Sequence, residues 1–139
     1  MMSRGGLVIL NDCYNANPAS FRAVIELAAR LRGGRRLVFV AGTMRELGPA
    51  SGALHRDIAA RLVALAPDLL AAVGAFGPAL EPFRESLGDR LLVAPEAEAM
   101  GPLLGPRLRA GDLVVLKGSR GEALERMLPN LLAPPQPGD

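Results

Sequence analysis

Lysine is almost missing from this sequence. Of its 16 Lys and Arg residues, 15 are Arg, and the one lysine, Lys117, is followed by Gly118. A Walker A loop needs Lys followed by Ser or Thr, so no P-loop nucleotide site can form within these 139 residues. Cysteine is equally scarce: Cys13 stands alone, which excludes an internal disulfide and points to a reducing compartment. A single histidine, His55, cannot build a multi-histidine metal centre, and no metal site is expected. Aromatic residues make up 4%, tryptophan is absent, and the arginines are interspersed with Asp and Glu to a net charge of +2. Without stacking platforms or a field of one sign, no nucleic acid partner is expected. No apolar run approaches the roughly 20 residues of a spanning helix, so membrane insertion is not expected either. Residues 1–6 lack the apolar region of a signal peptide, which leaves the cytoplasm as the expected compartment.

What is present fits one soluble globular domain: half the residues are hydrophobic, 22% are charged, and 139 residues can bury one core. Apolar runs at 7–10, 37–41, 69–73, 91–94 and 112–116 read as strands; that at 37–41 has the continuous apolar character and branching of one covered on both faces, 112–116 reads as buried, and 91–94 is the weakest. Between them lie segments of helical period. In 19–31, Phe21, Val24, Ile25, Leu27, Ala28 and Leu31 recur at helical spacing, and Gly33-Gly34 stops the helix. A second helix carries Leu54, Ile58, Leu62 and Leu65 on one side. Helical segments are also expected over 77–87, interrupted by Pro82, over 96–108 despite Pro102 and Pro106, and over 122–132. Alternating strands and helices imply right-handed parallel crossovers and a doubly wound α/β sheet. The domain is expected to span residues 1–133, with 134–139 a disordered Pro-rich tail.

Ligands of such sheets sit beyond the carboxyl ends of the strands, and three loops there carry the chemistry. The first, residues 11–20, packs Asp12, Tyr14, Asn15 and Asn17 into one strand-to-helix turn. Asn17 suits a helix cap with Pro18 at the first helical position. Capping does not account for both Asp12 and Asn15, which can accept from ribose hydroxyls or read a polar ligand edge. Cys13 reads as a small buried thiol. In the second loop, Gly42 and Gly48 bracket Thr43, Met44, Arg45, Glu46 and Leu47, and His55 follows. Arg45 can bind an anion or simply pair with Glu46 in solvent. His55 is either a helix-surface residue or a hydrogen-bonding one facing the cleft. The third loop, Lys117-Gly118-Ser119-Arg120-Gly121, follows the strongest strand and is expected to open a helix. Two cations, a hydroxyl and helix N-terminal amides together make a site for a carboxylate or phosphate.

Taken together, Asp12 to Ser20, Met44-Arg45-Glu46-Leu47-Gly48 with Leu54-His55-Arg56, and Lys117 to Gly121 resemble the C-terminal domain of the Mur ligases. The specific likeness is to the branch that joins D-Ala-D-Ala to UDP-N-acetylmuramoyl-tripeptide in peptidoglycan precursor synthesis. It runs from about Arg4 to Leu132. The resemblance implies a Rossmann-like three-layer domain with a mostly parallel sheet of about five to six strands. It implies an ATP- and Mg-dependent carbon–nitrogen ligase acting through an acyl phosphate. An N-terminal UDP-sugar domain and a central ATPase domain would lie outside this chain, which alone would be inactive and hold no cofactor tightly. By the same resemblance, Asp12 and Asn15 contact the nucleotide, and Lys117, Ser119 and Arg120 meet the incoming dipeptide. Arg45, Glu46 and His55 line that cleft. The family pattern usually has Asp at the positions of Thr43 and Asn11. The doubled methionine suggests a start placed within a longer gene. A free-standing, non-catalytic nucleotide- or dipeptide-binding module, or a docking partner for a separate ATPase, is the alternative.

Overall fold

The computed structural model describes residues 2–4 (backbone only), 6–13, 15–120 and 123–131. The expected tail at 134–139 lies outside the described residues. Six strands form one sheet in the order β1-β2-β6-β3-β4-β5. These are β1 (Met2–Arg4), β2 (Leu7–Asp12), β3 (Leu37–Ala41), β4 (Leu69–Val73), β5 (Leu91–Ala94) and β6 (Leu113–Lys117). β1 runs antiparallel at one edge, and the other five strands are parallel. The expected α/β fold with a mostly parallel sheet is therefore the fold observed.

Both faces of the sheet are covered, which is why the central strands are continuously apolar rather than alternating. Along β3, Leu37, Phe39 and Ala41 enter one core, and Val38 and Val40 enter the other. The first core is roofed by α1 (Pro18–Arg32), α2 (Ser51–Leu65) and α3 (Phe76–Leu80). The second is roofed by α5 (Ala97–Leu104) and the segment that follows β6. Between α3 and β5 the chain makes two 3-10 turns, Glu81–Phe83 and Gly88–Arg90, on either side of one helical turn, α4 (Arg84–Leu87).

Three expected helices differ in the structure. Residues 77–87 break into short pieces around Pro82, which cannot donate to a continuous helix and sits in the 3-10 turn between α3 and the next helical turn. The helix expected over 96–108 ends at Leu104 and tightens into a 3-10 turn, Gly105–Arg107, around Pro106. The last helix, expected over 122–132, is a 3-10 turn at Leu124–Met127 followed by one α-turn, α6 (Leu128–Leu131). Pro129 removes one donor there, and Ala123 sits in the left-handed region at φ 51. This segment docks on α5 because Gly101 and Gly105 leave room for Asn130: a Cβ at Gly105 would lie 2.9 Å from the Asn130 carbonyl oxygen.

Three of the arginines serve helix ends. Arg32 donates to the Ala66 carbonyl at 2.9 Å, past the end of α2, and to Asp68 at 2.8 Å. Arg35 and Arg90 donate to the terminal carbonyls of α1 and α4. Cations there complement the negative end of the helix dipole.

Candidate functional site

Register brings the three loops together. Asp12 of β2 and Ala41 of β3 both pair with Lys117 of β6, so three adjacent strands end at one level. The loops beginning at residues 13, 42 and 118 thus leave the same carboxyl edge side by side. That edge is where β6, arriving from β5 across the sheet, inserts between β2 and β3. This is the crevice in which doubly wound sheets bind ligands.

The first loop is built on a helix cap. Asn17 is extended (φ −139, ψ 171), its Oδ1 accepts from the Ser20 amide at 2.8 Å, and Ser20 Oγ accepts from the Asn17 amide at 3.0 Å. With Pro18 opening α1, this reciprocal pair fixes where the loop meets the helix. Asn15, one turn earlier, is exposed, and the Asp12 side chain is 43% exposed. Tyr14 lies outside the described residues.

Lys117 is only 1% exposed. It shares a sheet face with Leu113 and Val115, and so lies beneath the turn into α1. Its Nζ donates to the Asn15 carbonyl at 2.7 Å and to Asp12 Oδ2 at 3.1 Å. The ammonium expected to meet a substrate carboxylate thus already holds the first loop to β6. Cys13 is beside this pair. Cys13 is half-buried, less enclosed than the buried thiol expected, yet desolvation, followed by the charges of Glu125 and Asp12, pushes its thiol up to about 12 and leaves it unreactive.

The second loop is tied on three sides. Thr43 Oγ1 accepts from the Ala75 amide at 2.9 Å, joining it to the end of β4. The Met44 amide donates to His55 Nε2 at 2.9 Å, joining it to α2. The Arg45 amide donates to Ser119 Oγ at 2.9 Å, joining it to the third loop. His55 is 2% exposed, with Nδ1 2.8 Å from the Ser51 carbonyl oxygen. An amide donor at Nε2 requires a lone pair there, so the proton sits on Nδ1 and the ring is neutral. The imidazole also packs edge-on against Phe76, with 4.9 Å between ring centroids. The Arg45 and Glu46 side chains are exposed.

In the third loop Gly118 is needed for close packing: a Cβ there would lie 2.9 Å from Leu124 Cδ1 and 3.0 Å from Gly42 Cα. Ser119 is buried, and its amide donates to the Thr43 carbonyl at 3.1 Å, while Arg120 is exposed. The start of the helix expected here falls on residues 121 and 122, outside the described residues; Arg120 is itself in a 3-10 conformation, and past the gap the chain makes a 3-10 turn at Leu124–Met127.

The sequence reading did not include Thr43 as a tether or Ser51 as the partner of His55. The signal for Thr43 was its place where the related pattern has Asp: both side chains offer an oxygen that can accept from the Ala75 amide. The family model described as Mur ligase, glutamate ligase domain matches residues 1–120. The chain belongs to this family.

Relatives of this Mur ligase domain narrow the branch. It is 32% identical over 138 residues to the UDP-N-acetylmuramoyl-tripeptide–D-alanyl-D-alanine ligase of Bacillus subtilis, covering 94% of this chain and 29% of that protein. To the ligase of the same description from Treponema pallidum it is 38% identical over 130 residues, covering 90% and 28%. Among solved structures, MurF ligase from Thermotoga maritima in complex with ADP superimposes with a TM-score of 0.73 at 29% identity, covering 94% of this chain and 29% of that one. A MurF structure from Acinetobacter baumannii gives 0.79 at 26% identity, covering 95% and 29%. The chain thus spans under a third of the length of these relatives. None of its described helices is long and apolar enough to cross a membrane.

Proposed function

We propose that this Mur ligase domain serves as the C-terminal, ligand-closing part of a cytoplasmic ATP-dependent ligase that adds D-Ala-D-Ala to UDP-N-acetylmuramoyl-tripeptide. The observation that carries this reading is the convergence of the three loops on one carboxyl edge, in a chain related to ligases named for that reaction. The half-exposed carboxylate of Asp12 and the exposed Asn15 amide suit a ribose or a base edge. They do not suit the phosphates, and the sequence has no Walker A loop to cradle those. Arg45, Glu46 and Arg120 are exposed and carry the charges that can receive a dipeptide's ammonium and carboxylate. Lys117 acts from below by holding the Asp12–Asn15 turn. Among the described residues there is no group of three metal-ligating side chains.

ATP supplies the activating phosphoryl group in such a reaction. This domain's residues would orient the ends of the two substrates and exclude water as the cleft closes. The decisive experiment exchanges the matched segment of the Bacillus subtilis relative for this chain and assays ADP release that depends on both UDP-muramoyl-tripeptide and D-Ala-D-Ala. Dipeptide-dependent turnover is expected from the chimera, and no ATP turnover from the 139-residue chain alone. A folded chimera that hydrolyses ATP without forming the amide would defeat the reading.

A further inference from the structure

Ser119 and His55 belong by sequence to the ligand-facing set, yet they are 8% and 2% exposed, with their polar atoms occupied by backbone. Ser119 takes the Arg45 amide on its hydroxyl and gives its own amide to the Thr43 carbonyl. Together with the Gly42 amide, which donates to the Lys117 carbonyl at 2.8 Å, these bonds prolong the pairing of β3 with β6 beyond both strand ends. His55 takes the Met44 amide between them. It is itself fixed by Ser51 and by a run of rings in which Phe76 lies 5.2 Å from Phe21. Three consecutive residues, 43, 44 and 45, therefore have backbone groups held by two different elements, the third loop and α2, while the Thr43 hydroxyl ties the segment to a third, the end of β4. The next residue, Glu46, adopts φ 62, a left-handed conformation that costs a non-glycine residue of order 1–3 kcal/mol and persists only where its surroundings impose it.

We propose that Ser119 and His55 are positioning residues: they fix the backbone of residues 43–45 and thereby aim Arg45 and Glu46, without contacting the ligand themselves. This rests on the site assignment above and deepens it, by dividing the cleft residues into those that meet substrate and those that hold them. The division has a physical reason. An arginine or glutamate side chain on a free loop must be ordered when ligand binds, whereas a tethered backbone has lost that freedom beforehand.

The test uses the whole 139-residue chain, with ATP and D-Ala-D-Ala as probes, and compares Ser119→Ala, Ser119→Thr, Arg45→Gln and the double variant Ser119→Ala/Arg45→Gln. Ser119→Ala should speed hydrogen exchange of the Arg45 amide about tenfold or more while amides in the core of β3 stay protected. It should weaken binding of D-Ala-D-Ala about tenfold, and Ser119→Thr, which keeps the hydroxyl, should restore both. In the Arg45→Gln background the same change should have no further effect on binding, because its influence runs through Arg45. His55→Phe, which keeps the ring against Phe76, should speed exchange of the Met44 amide alone. Additive losses in the double variant would show that Ser119 touches the ligand, and unchanged exchange at Arg45 would show that it fixes nothing; either overturns the proposal. A wild-type chain that binds neither probe overturns the site assignment instead. The exchange measurement needs no ligand and still decides whether Ser119 positions Arg45.

Discussion

The Asp12–Lys117 pair is lopsided, and that lopsidedness makes a strong prediction. Lys117 is 1% exposed and Asp12 43%, so the two ends of the bond respond differently to loss of their partner. In Asp12→Ala the buried ammonium keeps the Asn15 carbonyl and loses its only described countercharge. Removing one partner of a fully buried pair costs about 3–5 kcal/mol. Water reaching the half-exposed end recovers part of that, so the loss expected here is about 2–3 kcal/mol. In Lys117→Met the buried charge itself disappears, the stem volume is retained, and Asp12 returns to water; a change within about 1 kcal/mol is expected. The double variant should resemble Lys117→Met, leaving a coupling of about 2 kcal/mol. Urea unfolding followed by circular dichroism measures all three. If Lys117→Met proves as damaging as Asp12→Ala, or the two losses simply add, then the ammonium is not held in the way described.

Other consequences can be checked separately. With its thiol near 12, Cys13 should be ionised to about one part in ten thousand at pH 8 and react with iodoacetamide far more slowly than the urea-unfolded chain. Its folded value is raised above the unfolded one, so wild type should lose stability relative to Cys13→Ala as pH climbs from about 9 toward 12, and not below. Comparable labelling rates in the folded and unfolded chains would refute that burial. Thr43→Val should cost about 1–2 kcal/mol by leaving the Ala75 amide without its acceptor. Thr43→Asp should keep the bond, and equal stability of the two variants would contradict this. Gly118→Ala should destabilise by about 1–3 kcal/mol, because the Gly42 backbone cannot yield as a flexible side chain would. Its amide spectrum should change most at residues 42–45 and 124.

Much of the fold was legible because burial on both faces leaves an unambiguous mark. The apolar runs at 37–41, 69–73 and 91–94 match β3, β4 and β5 residue for residue. β6 is displaced by one residue, since the sheet continues through Lys117, a lysine that no strand pattern would include. The helices between 76 and 90 and after 122 were not legible in detail. Their form is decided by prolines and by where Asn130 meets Gly101 and Gly105, contacts between residues far apart in sequence. The loops could be selected from composition, because polar residues and glycines after strands mark the ligand edge. The division of labour within them could not be read. That Ser119 serves the amide of Arg45, 74 positions away, follows only from β6 lying beside β3.

That placement of β6 also dictates an order of assembly. The strand at the middle of the sheet is the last of the described strands, and before it is made β2 has no parallel neighbour and β3 has one free edge. A ribosome that has delivered residues 1–112 has released one antiparallel ribbon, β1–β2, and one three-stranded sheet, β3–β4–β5, with a strand-wide gap between them. Filling the gap joins the two pieces, buries Lys117 and lines up the three loops in a single late event. Partly made chains should thus expose unpaired edges, with the first loop not yet brought beside the second.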